Sequence, residues 1–313
     1  MSAVKFRCRI VSQHFRVMEW DDFTIDDVHY SPRLPLENAD GLIVFYDPSE
    51  ELLTFRGPKL WFTFEPSWHS HFNRHPIGRK LMRLLNNSEH VFYGNLDPQY
   101  RIAHPTYRGP LTMPRGPASK PAAVACVSNY GGQTWFLKRH IRLRNQMIFC
   151  PLVELFGRPE SWAKFRQFPR LWIKRPPPNY KGLTSPEKDQ RDGEHIRFLS
   201  GYTVAVCLEN CVEQNYFTEK FVNAARAGCI PVYHAHPSVK NRFLAGAKWV
   251  DPADFGFSPQ RTIEFALSQE QAEYRRVNDA WLQSGILAET DNQKLVPMLH
   301  EILKTKLEMK RTV

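Results

Sequence analysis

Short apolar runs, separated by longer stretches with apolar residues at helical spacing, dominate the hydrophobic pattern of the chain. The longest runs are Gly41–Tyr46, Ala122–Val127 and Thr203–Leu208. Near-continuous apolar segments of this length are typical of strands covered on both faces of a parallel sheet. Strands that alternate with helices favour an α/β fold. None of these runs approaches the ~20 residues that a membrane-spanning helix needs.

The same pattern predicts elements on both sides of a proline-rich stretch. Before it, we expect strands Val4–Val11, Leu42–Tyr46 and Leu60–Phe64 and helix Ile77–Leu85. After it, we expect strands Ala122–Val127, Thr203–Leu208 and Ile230–Tyr233, and helices Trp135–Arg144, Phe217–Gly228, Pro259–Leu282 and Gln293–Lys310.

Two proline-rich stretches indicate how the chain is divided. Thr106–Pro121 contains four prolines and two glycines without periodicity, which predicts an interdomain linker. Arg175–Lys188 has the same character and predicts a surface loop. We therefore expect two Rossmann-like domains facing a cleft, residues 1–118 and 119–270, followed by C-terminal helices over 271–313.

The charge of the chain is unevenly distributed. Lys plus Arg is 42 and Asp plus Glu is 32, a net charge of +10. Residues 1–118 carry 14 basic and 13 acidic side chains, residues 119–270 carry 21 and 13, and residues 271–313 carry 7 and 6. The excess therefore lies in the middle segment. Such an excess suggests an anionic partner: a nucleic acid, a membrane surface or a phosphorylated ligand.

Cysteine and histidine spacing does not predict a metal site. The six cysteines are scattered, most of them in strand-like runs, which is typical of buried free thiols. Cys207 and Cys211 lie four residues apart, but no second pair follows at zinc spacing. His69, His71 and His75 lie close together, but no strong carboxylate or cysteine partner follows them, so we expect them in a loop that faces the acceptor cleft.

The chemistry is concentrated in Thr203–Tyr233, which has the size and order of a βαβ unit. Gly228 ends its helix, and the loop Glu209–Tyr216 follows the carboxyl end of a strand, where open α/β sheets bind ligands. Lys220 lies in the first turn of the helix, where a cation is unfavourable by a few tenths of a kcal/mol. An anionic ligand at the helix end would explain it, although an exposed lysine needs no such explanation.

This unit, LENCVEQNYFTEKFVNAARAGCIPVY, resembles the donor-binding motif of the α-1,3-fucosyltransferases. Four further segments resemble the family. Trp249–Phe255 is similar to its S-F-I-x-V-x-D-F motif and Val127–Asn129 to its V-S-N strand end. Glu154–Arg158 is similar to its V-D-V-Y-G-R segment and Trp61–Ser67 to its F-E-S-P turn. The resemblance is strongest over residues 203–255 and thinnest at the last of these segments.

The resemblance implies a GT-B architecture in which residues 119–270 hold GDP-fucose and residues 1–118 bind the acceptor. It implies an inverting transfer without an obligatory metal or other cofactor. The residues that match the family's sugar-nucleotide contacts are Asn210, Tyr216, Glu219 and Lys220, with Lys220 on the diphosphate. Glu219 would also stabilise an oxocarbenium-like transition state.

The resemblance also implies two further site residues. Glu65 matches the general base of the family, which takes the proton of the acceptor hydroxyl. A basic residue on the helix after V-S-N would bind the diphosphate. Arg139 and Arg142 both qualify, and we favour Arg139.

Fewer matching segments support the assignment of the acceptor. The family's T-Y-R-x-D-S-D segment is missing, as are the cysteine bridges and membrane stem of animal members, which favours a bacterial type. We expect a GlcNAc-type oligosaccharide or lipid-linked glycan, such as a lipopolysaccharide precursor, as acceptor for an α-1,3 linkage. We expect a cytoplasmic protein, with peripheral contact at the inner membrane face as a use for the surplus charge, and no nucleic acid.

Two alternatives stay open on the sequence alone. The chain fits a GT-B transferase that uses another sugar nucleotide on the same scaffold. It also fits a non-catalytic protein that binds nucleic acid or membranes, because the basic runs Lys138–Arg144 and Lys164–Arg175 are interleaved with aromatic residues.

Overall fold

The computed structural model describes residues 3–12, 21–45, 49–62, 120–127, 138–157, 178–182, 193–287 and 292–311. Chain contacts group into two compact units, one formed by residues 1–104 with 289–313 and the other by residues 105–288. Glu65, the predicted helix Ile77–Leu85 and the three clustered histidines lie outside the described residues.

Each unit contains strands and helices. The described strands are β1 (Phe6–Ser12), β2 (Phe23–Ile25), β3 (Val28–Ser31), β4 (Gly41–Phe45), β5 (Lys59–Phe62), β6 (Lys120–Val127), β7 (Val153–Gly157), β8 (Tyr180–Gly182), β9 (Tyr202–Val206) and β10 (Ile230–Val232). The described helices are α1 (Glu51–Thr54), α2 (Lys138–Ile148), α3 (Gly193–Ser200), α4 (Glu219–Arg226), α5 (Pro237–Arg242), α6 (Pro259–Leu267), α7 (Gln271–Gln283) and α8 (Asn292–Arg311). Short 3₁₀ turns lie at Leu36–Asn38 and Pro252–Phe255.

The first unit contains a sheet in the order β2-β3-β1-β4-β5. Its strands are parallel except for the antiparallel pairing of β2 with β3. All five residues of β4 are buried because Ile43 and Phe45 face one apolar cluster while Leu42 and Val44 face another. The near-continuous apolar run thus marks a strand covered on both faces, as predicted. The hairpin of β2 and β3 was not predicted.

Helix α8 covers one face of this first sheet. Leu299, Ile302, Leu303 and Leu307 belong to the same buried cluster as β1 and β4. A Cβ atom on Gly41 would lie 2.9 Å from Cys8 Sγ, so the strand backbone approaches its neighbours closely. The segment predicted as separate C-terminal helices is therefore shared: α7 lies in the second unit and α8 in the first.

Replacing Leu303 with alanine is expected to destabilise the first unit by roughly 2 to 5 kcal/mol, because it removes a fully buried side chain and leaves a cavity. Urea denaturation with hydrogen exchange of β1 and β4 amides would measure the loss. The control is Met309→Ala on the same helix, where the side chain is 56% exposed and little change is expected. Equal effects of the two variants would contradict the packing role of α8.

The second unit contains a fully parallel sheet in the order β10-β9-β6-β7-β8. Two sheets of mainly parallel strands, each packed with helices, confirm the predicted α/β fold with two Rossmann-like units. The predicted helix Pro259–Leu282 is two helices, α6 and α7, interrupted at residues 268–270. β7, β8, α3 and α5 were not predicted as elements. Strand β8 lies inside the predicted loop Arg175–Lys188.

The buried-thiol prediction is confirmed. No disulfide joins any of the six cysteines, all of which lie among the described residues; five are buried and Cys126 is partly buried. In the described part of the chain, no helix combines the length and apolar character that crossing a bilayer requires.

Candidate functional site

The strand order of the second sheet marks a place for a ligand. From β6 the chain proceeds through β7 and β8 on one side, and then crosses to β9 and β10 on the other. The order therefore reverses between β6 and β9. In open parallel sheets, ligands bind beyond the carboxyl ends of the strands that flank such a reversal. The loop that follows β9 begins with the sequence Cys207-Leu208-Glu209-Asn210.

Local signals in the sequence fix both ends of helix α4, which follows this loop. Thr218 is the N-cap, and its side chain accepts from the Lys220 amide. At the other end, Gly228 has a φ of 75°, its N–H donates to Ala225 O, and the Cys229 N–H donates to Ala224 O. This is a Schellman motif, in which glycine meets no Cβ penalty. The helix axis is therefore fixed with its amino-terminal end at the carboxyl edge of the sheet.

The buried side chain of Glu209 links the loop after β9 to the start of α4 and to Tyr233. This side chain is 1% exposed, yet it accepts hydrogen bonds from four groups. Thr218 donates its backbone N–H (2.9 Å) and its hydroxyl (2.8 Å), and the Tyr233 hydroxyl donates at 2.9 Å. The fourth donor is the Lys220 ammonium, at 2.8 Å. A buried carboxylate is tolerated when it is paired and hydrogen-bonded in this way.

Lys220 thus has a partner within the protein, the Glu209 carboxylate, at the helix end. Its ammonium also lies 3.4 Å from Thr218 Oγ1, and its side chain is 29% exposed. Burial lowers the pKa of Lys220, but the charges of Glu209 and Glu219 outweigh it, so the pKa is raised from its ordinary value. The carboxylate of Glu209 offsets the unfavourable position of a cation in the first turn, a contribution that the spacing did not reveal.

A third arginine, beyond the two considered from the sequence, contacts the loop. Arg144 of α2 is buried and donates from Nη1 to Asn210 Oδ1 at 2.5 Å. Its charge also opposes the charged form of Lys220, although the pKa of Lys220 as a whole is raised. Arg142 is exposed, and the side chain of Arg139 lies outside the described part. The hydrogen bond between Arg144 and Asn210 thus links the helix that follows β6 in the chain to the loop after β9.

The residue before Tyr216 has a conformational reason to be asparagine. Asn215 has a φ of 59°, in the left-handed region that glycine, asparagine and aspartate adopt most readily. Its backbone N–H donates to Ser238 Oγ at 3.0 Å, which ties the loop to α5. Tyr216 itself is buried. Asparagine therefore suits this backbone position, as glycine or aspartate would.

Glu219 is the first residue of α4 and lies near a histidine of α3. Burial lowers the pKa of His195 and the charge of Glu219 raises it, with burial prevailing. The Nδ1 atom of His195 is buried and finds no hydrogen-bond partner among the described residues. His195 is thus favoured in its neutral form beside Glu219.

The arrangement brings alternating charges to one end of the sheet. Arg144 and Lys220 are cationic, and Glu209 and Glu219 are anionic. Among the groups that sequence analysis named, the structure assembles Asn210, Glu219 and Lys220 around this end. It adds Glu209, Arg144 and Tyr233, which sequence analysis did not name as site residues.

In the described part of the chain, one grouping has metal-ligand character, and it lies in the first unit. Ligand atoms of Asp26, His300 and Glu301 lie within 4.8 Å of one another. The Lys304 ammonium already pairs with Asp26 at 3.1 Å, and the Tyr30 hydroxyl bonds His300 Nδ1 at 2.8 Å. These bonds describe a polar cluster that ties α8 to the first sheet.

Comparisons with known proteins agree with the motif. No protein-family model matches the chain. GDP-fucose protein O-fucosyltransferase 3 of Canis lupus familiaris is 30% identical over 126 residues, covering 38% of this chain and 24% of that protein. Alpha-(1,3)-fucosyltransferase B of Drosophila melanogaster is 33% identical over 72 residues, covering 23% and 16%. The matched part is thus a quarter or less of each relative's length.

Among solved structures, a crystal structure of an α1,3-fucosyltransferase with GDP-fucose has a TM-score of 0.44 and 13% identity, covering 97% of this chain and 91% of that one. The predicted resemblance to fucosyltransferases, which are glycosyltransferases, is confirmed by the sequence relatives. Both relatives come from animals, and the expected bacterial type stays a prediction.

Proposed function

We propose that the chain is a fucosyltransferase that moves fucose from GDP-fucose to a hydroxyl of a glycan acceptor. The observation that carries the proposal is that the bonded pair Arg144–Asn210 and the helix end with Lys220 both follow strands at the reversal point of a parallel sheet. Open α/β sheets bind ligands at such a reversal, beyond the carboxyl ends of the strands. The sequence relatives, which are named for GDP-fucose or fucose transfer, support the choice of donor.

In this proposal the two cations bind the diphosphate. Arg144 offers a planar fork, and Lys220 offers a point charge. The diphosphate leaves with negative charge, and preorganised cations stabilise such a leaving group without reorganisation. Arg139 stays an alternative partner of the diphosphate. Asn210 and Tyr216 contact the sugar nucleotide, and Glu219 stabilises positive charge that develops on the fucose ring.

The acceptor half of the reaction belongs to Glu65. In the sequence it follows Phe62, the last residue of β5, after Thr63 and Phe64 only. Glu65 takes the proton of the acceptor hydroxyl, whose oxygen attacks the anomeric carbon from the face opposite GDP. The bond to the phosphate oxygen breaks, and the configuration inverts. We propose a GlcNAc-type acceptor and an α-1,3 linkage, without an obligatory metal. We also propose that the basic second unit contacts a membrane surface peripherally.

A nucleotide screen tests the donor assignment. GDP is expected to raise the melting temperature more than UDP or dTDP, because a ligand that binds only the folded state stabilises it by about 2.7 kcal/mol at a hundredfold excess over Kd. GDP release from GDP-fucose with a GlcNAc-type acceptor is the matching activity assay. A larger shift with UDP or dTDP would instead support a transferase for another sugar nucleotide.

A further inference from the structure

We propose that Glu209 is a positioning residue that fixes the Lys220 ammonium at the amino-terminal end of α4 and keeps it charged for an anionic ligand. This inference rests on the proposed function, because it takes Lys220 as the partner of the diphosphate. Nothing in the motif resemblance assigned a role to Glu209.

The first argument is geometric. Glu209 comes from the loop after β9, Tyr233 directly follows β10, and Thr218 with Lys220 begins α4. All three elements meet at one carboxylate through bonds of 2.8 to 2.9 Å. Tyr233 and Thr218 donate hydrogen bonds to this carboxylate, and these bonds hold the Glu209 side chain in one position. Lys220 is thereby confined to the helix end, with 29% of its side chain exposed.

The second argument is electrostatic. A partly buried ammonium loses hydration and is biased towards its neutral form unless an anion faces it. Among the described residues, the charged groups that act most on Lys220 are Glu209 and Glu219, which favour its charge, and Arg144, which opposes it. Tyr233 stays neutral because burial and the Glu209 charge raise its pKa well above the ordinary value. Removing the Glu209 carboxylate is therefore expected to lower the pKa of Lys220 the most.

The sign of the pH effect follows from this balance. With Glu209 present, the pKa of Lys220 is raised, so the ammonium persists above neutral pH. In Glu209→Gln the main group that raises the pKa of Lys220 is gone, while the burial that lowers this pKa remains. Lys220 then loses its proton as the pH rises from neutral, and the affinity for a diphosphate falls with it.

The first arm of the test needs no ligand. Amine acylation at pH 7 to 9, read at Lys220 by mass spectrometry, is expected to rise at least about fivefold in Glu209→Gln relative to the parent protein, because only the neutral amine reacts. The matched control is Glu273→Gln, which removes the carboxylate facing Lys248 in an exposed pair, with Glu273 53% exposed. Equal reactivity of Lys220 in the parent protein and in Glu209→Gln would overturn the proposal.

The second arm measures GDP affinity by calorimetry at pH 6.5 and 9.0. The ratio of variant to parent Kd is expected to rise at least about fivefold between these pH values, and taking the ratio cancels titration of the nucleotide. A constant ratio would overturn the proposal. If the parent protein binds no GDP while the acylation result holds, the proposed donor fails and the role of Glu209 at Lys220 stands.

A second variant guards against loss of folding. Tyr233→Phe removes one hydrogen bond to Glu209 and leaves both charges in place. It is expected to keep the acylation profile of Lys220 within about twofold of the parent protein. A profile like that of Glu209→Gln would show that loosened packing, not charge, controls Lys220, and would overturn the proposal.

Discussion

Replacing Lys220 with methionine is expected to weaken GDP binding by roughly 10- to 100-fold. The loss corresponds to one hydrogen bond between charged groups, about 1.5 to 3 kcal/mol. The variant is also expected to lose roughly 2 kcal/mol of stability, because Glu209 is left buried without its cation. This cost is below that of a fully buried pair because Lys220 is partly exposed. Calorimetry with GDP and urea denaturation measure the two effects.

A double variant separates the two effects. In Lys220→Met with Glu209→Gln, no unpaired buried charge is left, so most of the stability returns while GDP affinity stays low. Lys240→Met is the single-site control, because Lys240 pairs with the buried Asp251 in the same unit. It is expected to lose stability with at most about a threefold change in GDP affinity. A double variant that regains GDP affinity would contradict the diphosphate role of Lys220.

The choice among the arginines of α2 shows which information the sequence contained. Arg144 lies three residues after Ile141 and four before Ile148, on the apolar stripe of the helix. A charged residue on such a stripe indicates a buried, paired side chain. Arg142 lies off this stripe and is exposed. Helical periodicity could therefore have indicated Arg144 as a buried, paired side chain, whereas the preference for Arg139 came from the resemblance to the family and stays a prediction.

The pairing of Glu209 with Lys220 could not be predicted from the sequence, for a different reason. βαβ periodicity predicted the strand, the loop and the helix, and Gly228 predicted the helix end. The pairing depends on where Tyr233, the residue that follows β10, places its hydroxyl. Amphipathicity likewise predicted α8 as a helix, but its apolar stripe does not specify which sheet it covers. Local patterns thus gave the elements, while long-range packing selected their partners.

Replacing Glu65 with glutamine is expected to lower turnover by roughly 100- to 10,000-fold, the contribution of a positioned general base. Glutamine keeps the size of the side chain but cannot accept the acceptor proton. GDP affinity and melting temperature are expected to stay at parent values, because this residue acts on the acceptor hydroxyl. The measurement is GDP release from GDP-fucose at saturating donor and acceptor.

Glu50→Gln provides the matched control for this prediction. Glu50 is an exposed carboxylate in the same unit, just before α1, and its side chain makes no capping hydrogen bond. Its turnover should stay within about twofold of the parent protein. If Glu65→Gln retained a third or more of the parent turnover, another group would have to accept the proton. In that case the similarity of Trp61–Ser67 to the family turn would not extend to its chemistry, and the donor site around Lys220 would stand independently.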